Sequence, residues 1–162
     1  MLKLRVVLIF TFSLIIQLHT FAVEKIPVIK FDEIASILNK TNDTVYVLNF
    51  WATWCGPCVK ELPDFEKFYQ SKANSKLKML LVSLDFKSDY QRLVNFVERK
   101  KISIPVVLLD ETKYHTWIDK VDPSWEGAIP ATLFVKGSVN FRKFHNGQIN
   151  FNELKTIVSP LL

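Results

Sequence analysis

Apolar positions change their spacing several times along the chain, and each spacing predicts a different element. Residues 45–50 form a nearly unbroken apolar run, which is typical of a central strand covered on both faces. From Tyr90 onward, apolar residues recur at i, i+3, i+4 and i+7, as on one face of a helix. Gly137-Ser138 separates apolar runs at 131–136 and 139–145, which predicts a hairpin with a two-residue turn. The remaining predictions are strands at 28–31, 77–86 and 105–109, a helix with Ile34, Ile37 and Leu38 on one face, and a helix at 55–71.

Capping residues predict where two of the helices begin. Ser88, with Gln91 three residues later, is a capping signal for the helix that follows the third strand. Asn150 with Glu153 gives the same signal for a final helix, and Pro160 predicts where that helix ends.

Strands and helices alternate along most of the chain, in the predicted order βαβαβα, strand, irregular segment, hairpin and helix. Alternation of this kind predicts a parallel sheet between two layers of helices, and the hairpin adds an antiparallel edge. The irregular segment is 111–128, in which Tyr114, Trp117 and Ile118 predict no more than a short helix. A chain of 162 residues supplies one core. Residues 23–162 are therefore predicted to form one α/β domain.

The start of the chain differs from the rest and predicts a secretory signal at 1–22. Lys3 and Arg5 precede an apolar run, and Ala22 is a small residue near the expected cleavage point. The alternative is an uncleaved membrane anchor at 6–22, although the apolar run is shorter than the ~20 residues that a spanning helix needs. Both outcomes predict an exported domain, in the periplasm or on the outer face of a membrane.

The formal charge of the chain is +5, and loss of the predicted signal removes two positive charges and leaves +3. The lysine and arginine residues are scattered rather than gathered in one stripe. This pattern is an ordinary solvated surface and does not predict nucleic-acid binding.

The chain contains two cysteines, Cys55 and Cys58, which are three positions apart. Exported proteins usually place cysteines in structural disulfides, but a pair this close cannot join distant parts of the chain. A helix is predicted to begin at Cys55, where unpaired N–H groups and the positive helix end favour a thiolate. We therefore predict that Cys55 attacks a substrate disulfide and that Cys58, the more buried residue, resolves the mixed disulfide.

Other uses of the cysteines fit the sequence less well. A structural zinc site needs four ligands, and His19, His115 and His145 are distant from the pair. Covalent haem attachment needs a histidine where Val59 stands. Two inert, buried cysteines are the remaining alternative. We predict neither a metal nor a cofactor.

The segment from Trp51 to Cys58, Trp-Ala-Thr-Trp-Cys-Gly-Pro-Cys, resembles the active site of thioredoxin almost residue for residue. The resemblance extends from about residue 28 to 158. It includes Pro63, which matches the kink in the family's active-site helix, and Ile129-Pro130, which looks like the family's cis-proline segment. It implies a thioredoxin fold in which this segment lies beside the cysteines and the Ile129 backbone pairs with substrate polypeptide. The substrate-binding residues that it implies are Trp54, Gly56, Pro57, Ile129 and Pro130.

Two departures make the chain similar to the exported TlpA/ResA-like group of thiol–disulfide oxidoreductases. Asn49 stands where ordinary thioredoxins carry a buried aspartate, and Lys60-Glu61-Leu62-Pro63 follows the cysteines. Residues 105–119 supply the strand and helix that this group adds before the cis-proline. Glu61 lies three residues after Cys58, on the same helix face, and is a candidate acceptor for its proton. The alternative is that Glu61 is a solvated helix residue.

The four tryptophans allow several interpretations. Trp51 is predicted to lie in the core or in a groove wall, and Trp54 to be partly exposed beside the first cysteine. Trp117 and Trp125 either form a substrate wall or hold the irregular segment against the core, and the second interpretation is favoured.

The predicted function is that of a protein-disulfide reductase acting on exported proteins. We expect a monomer that receives electrons from an upstream thiol protein, either soluble or membrane-bound. One alternative is a disulfide oxidase or isomerase on the same fold, and another is a thioredoxin-fold binding module whose cysteines are idle. Peroxidase action is not expected, because the sequence has no Thr-x-x-Cys pattern.

Overall fold

The structure is a computed structural model that describes residues 25–72 and 76–162. The predicted signal at 1–22, together with His19, lies outside the described residues. Within the two described ranges, no helix has both the length and the apolar character needed to cross a bilayer.

The described residues form one mixed sheet with the strand order β1-β4-β3-β2-β5-β6. Strands β1 to β4 are parallel to one another, whereas β5 pairs antiparallel with both β2 and β6. This arrangement confirms the predicted parallel sheet with an antiparallel edge. The strands are β1 (Val28–Ile29), β2 (Val45–Trp51), β3 (Leu77–Ser83), β4 (Val106–Leu109), β5 (Ala131–Lys136) and β6 (Phe141–Asn146).

Helices cover both faces of this sheet, as the alternating pattern predicted. Residues 105–119, predicted to supply an added strand and helix, contain β4 and the start of α4. The helices are α1 (Phe31–Leu38), α2 (Gly56–Ser71), α3 (Tyr90–Lys100), α4 (Ile118–Val121) and α5 (Phe151–Val158).

The apolar run of strand β2 contributes side chains to two cores, one on each face of the sheet. Val45, Val47 and Trp51 pack into the core beneath α2, α3 and α5. Tyr46, Leu48 and Phe50 alternate with them and pack into the second core, beneath α1 and α4. Every residue of β2 is buried, including the polar Asn49, which shares its face with Val47 and Trp51.

The irregular segment at 111–128 is held against the second core by its tryptophans. Trp117 and Trp125 are 1% and 2% exposed. The Trp117 ring stacks on Phe31 at a centroid distance of 5.5 Å, and the Trp125 ring lies 4.7 Å from that of Phe50. These contacts fit the anchoring interpretation and leave the two indoles too covered to form a substrate wall.

The ends of two predicted strands and one predicted helix cap are wrong. The first strand ends at Ile29, because Phe31 already begins α1, and β3 ends at Ser83 rather than at 86. The Ser88 cap does not form, since a 3₁₀ turn occupies Lys87–Asp89 and Asp89 precedes α3. By contrast, the capping box of Asn150 with Glu153 is present.

The hairpin is confirmed, but its connection has four residues instead of two. Lys136 pairs with Phe141, so residues 137–140 form the turn. Asn140 adopts a left-handed conformation with φ 50°, which asparagine tolerates better than most residues. Gly137 is needed for a different reason, because a Cβ there would overlap the Lys40 carbonyl oxygen.

Candidate active site

The two cysteines lie where β2 leads into α2. Cys55 is the N-cap of α2, with an extended backbone, and Pro57 lies in the first turn, where its missing N–H costs nothing. The Cys58 N–H points at Cys55 Sγ at 3.3 Å. Donors at this helix start stabilise negative charge on the first sulfur, because the first turn of a helix leaves its N–H groups unpaired.

Cys55 and Cys58 form a disulfide in this structure. Cys58 is fully buried, and Cys55 retains 6% of its surface. This order agrees with the prediction that Cys58 is the more buried residue, although Cys55 is itself largely covered. Trp54 is 57% exposed beside it, as the resemblance implied.

The second predicted anchor of the site is also present. The Ile129-Pro130 peptide bond is cis. The Ile129 carbonyl oxygen lies 3.7 Å from Cys55 Sγ. The fold therefore brings this segment to the first cysteine across a large separation in sequence.

Glu61 is buried, with 2% of its surface exposed, so the alternative of a solvated helix residue is wrong. The Asn49 side-chain amide donates to Oε1 at 2.8 Å, and the Ile149 backbone N–H donates to Oε2 at 2.9 Å. Burial disfavours the charged carboxylate and raises the pKa of Glu61 to about 7, although both donors act in the opposite direction. Glu61 is therefore a carboxyl group that can exchange a proton near neutral pH.

Asn49 connects Glu61 to strand β5. Its amide nitrogen donates both to Glu61 and to Thr132 Oγ1, the latter at 3.1 Å. Both Asn49 and Thr132 are fully buried, and they are paired in the β2–β5 register. Asn49, which stands where ordinary thioredoxins carry a buried aspartate, is thus the side chain that binds the buried acid.

Sequence reasoning missed a second buried carboxylate, Asp85. It accepts hydrogen bonds from the Thr53 N–H at 2.9 Å, the Thr53 hydroxyl at 2.5 Å and the Ser83 hydroxyl at 2.8 Å. Arg92 lies 3.5 Å away on the solvent side. Because Thr53 is two residues before Cys55, this network fixes the loop that carries the first cysteine. An acid just after a buried strand, at the carboxyl edge of a parallel sheet, was the available signal.

Sequence reasoning also missed the loop between β6 and α5. Three successive residues of this loop bind three parts of the site. The Gly147 N–H donates to the Pro130 carbonyl at 2.8 Å, and the Gln148 side-chain amide donates to the Pro57 carbonyl at 3.0 Å. The Ile149 N–H then binds Glu61. No local sequence pattern predicts the contacts of this loop, because its partners come from distant segments.

Within residues 25–72 and 76–162, no group of three His, Cys, Asp or Glu side chains is arranged to hold a metal ion.

The sequence model of the AhpC/TSA family matches residues 24–142. The chain belongs to the AhpC/TSA family. Sporulation thiol-disulfide oxidoreductase A of Bacillus subtilis is 39% identical over 74 residues, which are 45% of this chain and 44% of that protein. Thiol-disulfide oxidoreductase ResA of Oceanobacillus iheyensis is 27% identical over 117 residues, 71% of this chain and 56% of that protein. The chain thus spans about half the length of the curated relatives it matches.

Solved structures agree with this placement. A thioredoxin-related protein from Neisseria meningitidis serogroup B superposes with a TM-score of 0.65 at 27% identity, covering 76% of this chain and 89% of that one. StoA from Bacillus subtilis superposes with a TM-score of 0.58 at 28% identity, covering 74% and 84%. These findings confirm the predicted thioredoxin fold and the resemblance to ResA-type thiol–disulfide oxidoreductases.

Proposed function

We propose that the chain reduces disulfides of exported proteins through a dithiol–disulfide cycle of Cys55 and Cys58. The observation that carries the proposal is the Cys55–Cys58 disulfide, which lies at the start of α2 and beside the cis Ile129-Pro130 segment. The names of the relatives support the same chemistry.

The cycle has two exchange steps. The Cys55 thiolate attacks one sulfur of a substrate disulfide, so that a mixed disulfide forms and the other substrate sulfur leaves as a thiolate. The Cys58 thiolate then attacks Cys55 Sγ, which forms the Cys55–Cys58 bond and releases the second substrate thiolate. Two electrons pass to the substrate, and an upstream dithiol protein returns them to the pair.

Glu61 acts in the second step. Cys58 must lose its proton to attack, and no solvent reaches it directly because it is fully buried. Glu61 lies three residues after Cys58 on the same helix face. Its pKa of about 7 is close enough to that of a thiol for the carboxylate to accept the thiol proton. Glu61 therefore takes the Cys58 proton when the mixed disulfide is resolved.

Gly56 and Pro57 between the cysteines favour the reducing direction, as the resemblance to thioredoxin implies. Reduction potentials in this fold run from about −270 mV for thioredoxin to about −120 mV for a strong oxidant. A potential for the Cys55–Cys58 pair near the first value supports a reductase, and one near the second supports the alternative of an oxidase or isomerase.

The predicted signal at 1–22 supports an exported domain, cleaved or anchored by residues 6–22. In that compartment the chain acts as a monomer on proteins that carry disulfides or thiols. Its electron donor is an upstream thiol protein, soluble or membrane-bound.

Turnover of insulin disulfides with dithiothreitol as the donor tests the activity. We expect catalysis by the wild-type protein and none by Cys55→Ser. A wild-type protein without turnover, but with a folded spectrum, would instead support the idle binding module.

A further inference from the structure

Exposed aromatic side chains are concentrated in one region of the described chain. Trp54, Phe86 and Tyr114 are 57%, 58% and 43% exposed. The other large apolar side chains with comparable exposure in residues 25–72 and 76–162 are aliphatic, namely Val28, Val139 and Leu162. Exposed aromatic area of this kind marks interaction sites more often than it serves folding.

The three aromatic residues follow three adjacent parallel strands. Trp54 comes after β2, Phe86 after β3 and Tyr114 after β4, and the sheet order places these strands side by side. The carboxyl ends of parallel strands meet at the same edge of a sheet. All three side chains therefore lie at the edge from which Cys55 projects.

Hydrogen bonds and packing hold these loops in place. Thr53, next to Trp54, is bound through two hydrogen bonds to Asp85, next to Phe86. The Tyr114 ring lies 6.0 Å from the buried Trp117 ring. Phe86 and Tyr114 also line a single cleft, together with Leu84 and Leu109.

The charges around this cleft are balanced. The cleft is lined by three acids, Asp85, Asp110 and Glu111. Asp110 is paired with Lys30 at 3.2 Å and with Lys87 at 3.1 Å, and Asp85 lies 3.5 Å from Arg92. Because three cations face these three anions, the cleft offers no strong field of either sign. Its selectivity must come from its apolar and aromatic walls.

We propose that Trp54, Phe86 and Tyr114 form a docking surface, here called the aromatic surface, for an extended substrate segment with apolar side chains next to its cysteine. The inference rests on the proposed function. A substrate sulfur must reach Cys55 Sγ to react, so the polypeptide on one side of it crosses the edge where the aromatic surface lies. An apolar side chain that enters the cleft is removed from contact with water, and its burial favours binding. A folded protein with a polar surface has no such side chain to bury there.

The test compares two peptides of equal length with one disulfide each, which differ only in carrying Phe or Ser beside the cysteines. The proteins are wild type, the double variant Phe86→Ala/Tyr114→Ala, and Val139→Ala as the matched control. Val139 is 62% exposed and lies in the hairpin turn, far from the aromatic surface. In the same turn, Gly137 lies against Lys40 and Ser138 binds Asn42, at the opposite edge of the sheet. Reaction of each reduced protein with 5,5′-dithiobis(2-nitrobenzoic acid) reports the basal reactivity of Cys55.

We expect wild type and Val139→Ala to prefer the Phe peptide in kcat/KM. In the double variant, kcat/KM for the Phe peptide should fall about tenfold, mostly through a higher KM. The rate of its reaction with 5,5′-dithiobis(2-nitrobenzoic acid) should be unchanged. Phe86→Ser alone should give an intermediate loss, which guards against a folding defect in the double variant.

Three results would overturn the proposal. The first is an unchanged peptide preference in the double variant, and the second is an equal loss on the peptides and on the small disulfide. The third is a wild-type dimer in sedimentation that the double variant converts to monomers, because the aromatic surface would then bind a second copy of the chain. A wild-type protein inactive on every disulfide would contradict the proposed function instead.

Discussion

Replacement of Glu61 by glutamine removes the buried ionisable group while nearly preserving the size of the side chain. The oxidised protein is the appropriate form, since the Cys55–Cys58 disulfide takes both thiols out of the titration. The quantity to measure is the free energy of unfolding by urea, at intervals from about pH 4 to about pH 8.

Burial raises the pKa of Glu61 from 4.5 to about 7 on folding, so the folded state holds this proton more tightly than the unfolded state. The stability that results is fully present below the unfolded pKa and is lost as the pH rises through the folded pKa of about 7. One pKa unit corresponds to about 1.4 kcal/mol, so the wild-type protein loses about 3 kcal/mol from this group across the range.

The glutamine variant has no such loss. Its amide has one acceptor for the two donors, Asn49 and Ile149, so one hydrogen bond worth about 1 kcal/mol is missing at every pH. We therefore expect the wild-type protein to be more stable near pH 4 by about 1 kcal/mol, and the variant to be more stable near pH 8 by about 2 kcal/mol. Two parallel curves that never cross would refute the buried, high-pKa account of Glu61.

Three further substitutions test neighbouring contacts. Asn49→Leu removes the donor that favours the ionised carboxylate, so the pKa of Glu61 should rise above about 7 in a carbon-13 NMR titration; an unchanged titration would contradict the contact. Asp85→Asn leaves too few acceptors for the donors of Thr53 and Ser83, and should lower the free energy of unfolding by urea by about 2 kcal/mol. An unchanged free energy of unfolding would mean that the network is solvated. Asn150→Ala removes the cap of α5 and should cost about 1 kcal/mol in the same assay, with no change in insulin turnover.

Elements whose signals are local were predicted well from the sequence. The run at 45–50 became the fully buried β2, because its residues alternate between two cores. The Asn150 cap formed because both partners of a capping box lie within one turn. The Ser88 cap failed even though its signal is also local, since the tight turn at Lys87–Asp89 sets the start of the helix one residue later.

The cysteines and the cis-proline segment were also found, because their motifs can be recognised within a few residues. Three contacts were not. The Asp85 network, the Asn49 contact with Glu61 and the binding of the loop at 147–149 all join segments that are far apart in sequence. They depend on which strands are neighbours in the sheet, and no short window of sequence carries that information.

The direct measurement of the central claim is a trapping experiment, in which each single cysteine variant is mixed with insulin and the products are weighed by mass spectrometry. Cys58→Ser retains the sulfur at the helix start and lacks the sulfur that resolves, so it should accumulate a mixed disulfide through Cys55. Cys55→Ser retains only the fully buried sulfur and should accumulate none. An adduct formed by Cys55→Ser but not by Cys58→Ser would reverse the two roles, and the absence of any adduct would contradict the dithiol–disulfide cycle.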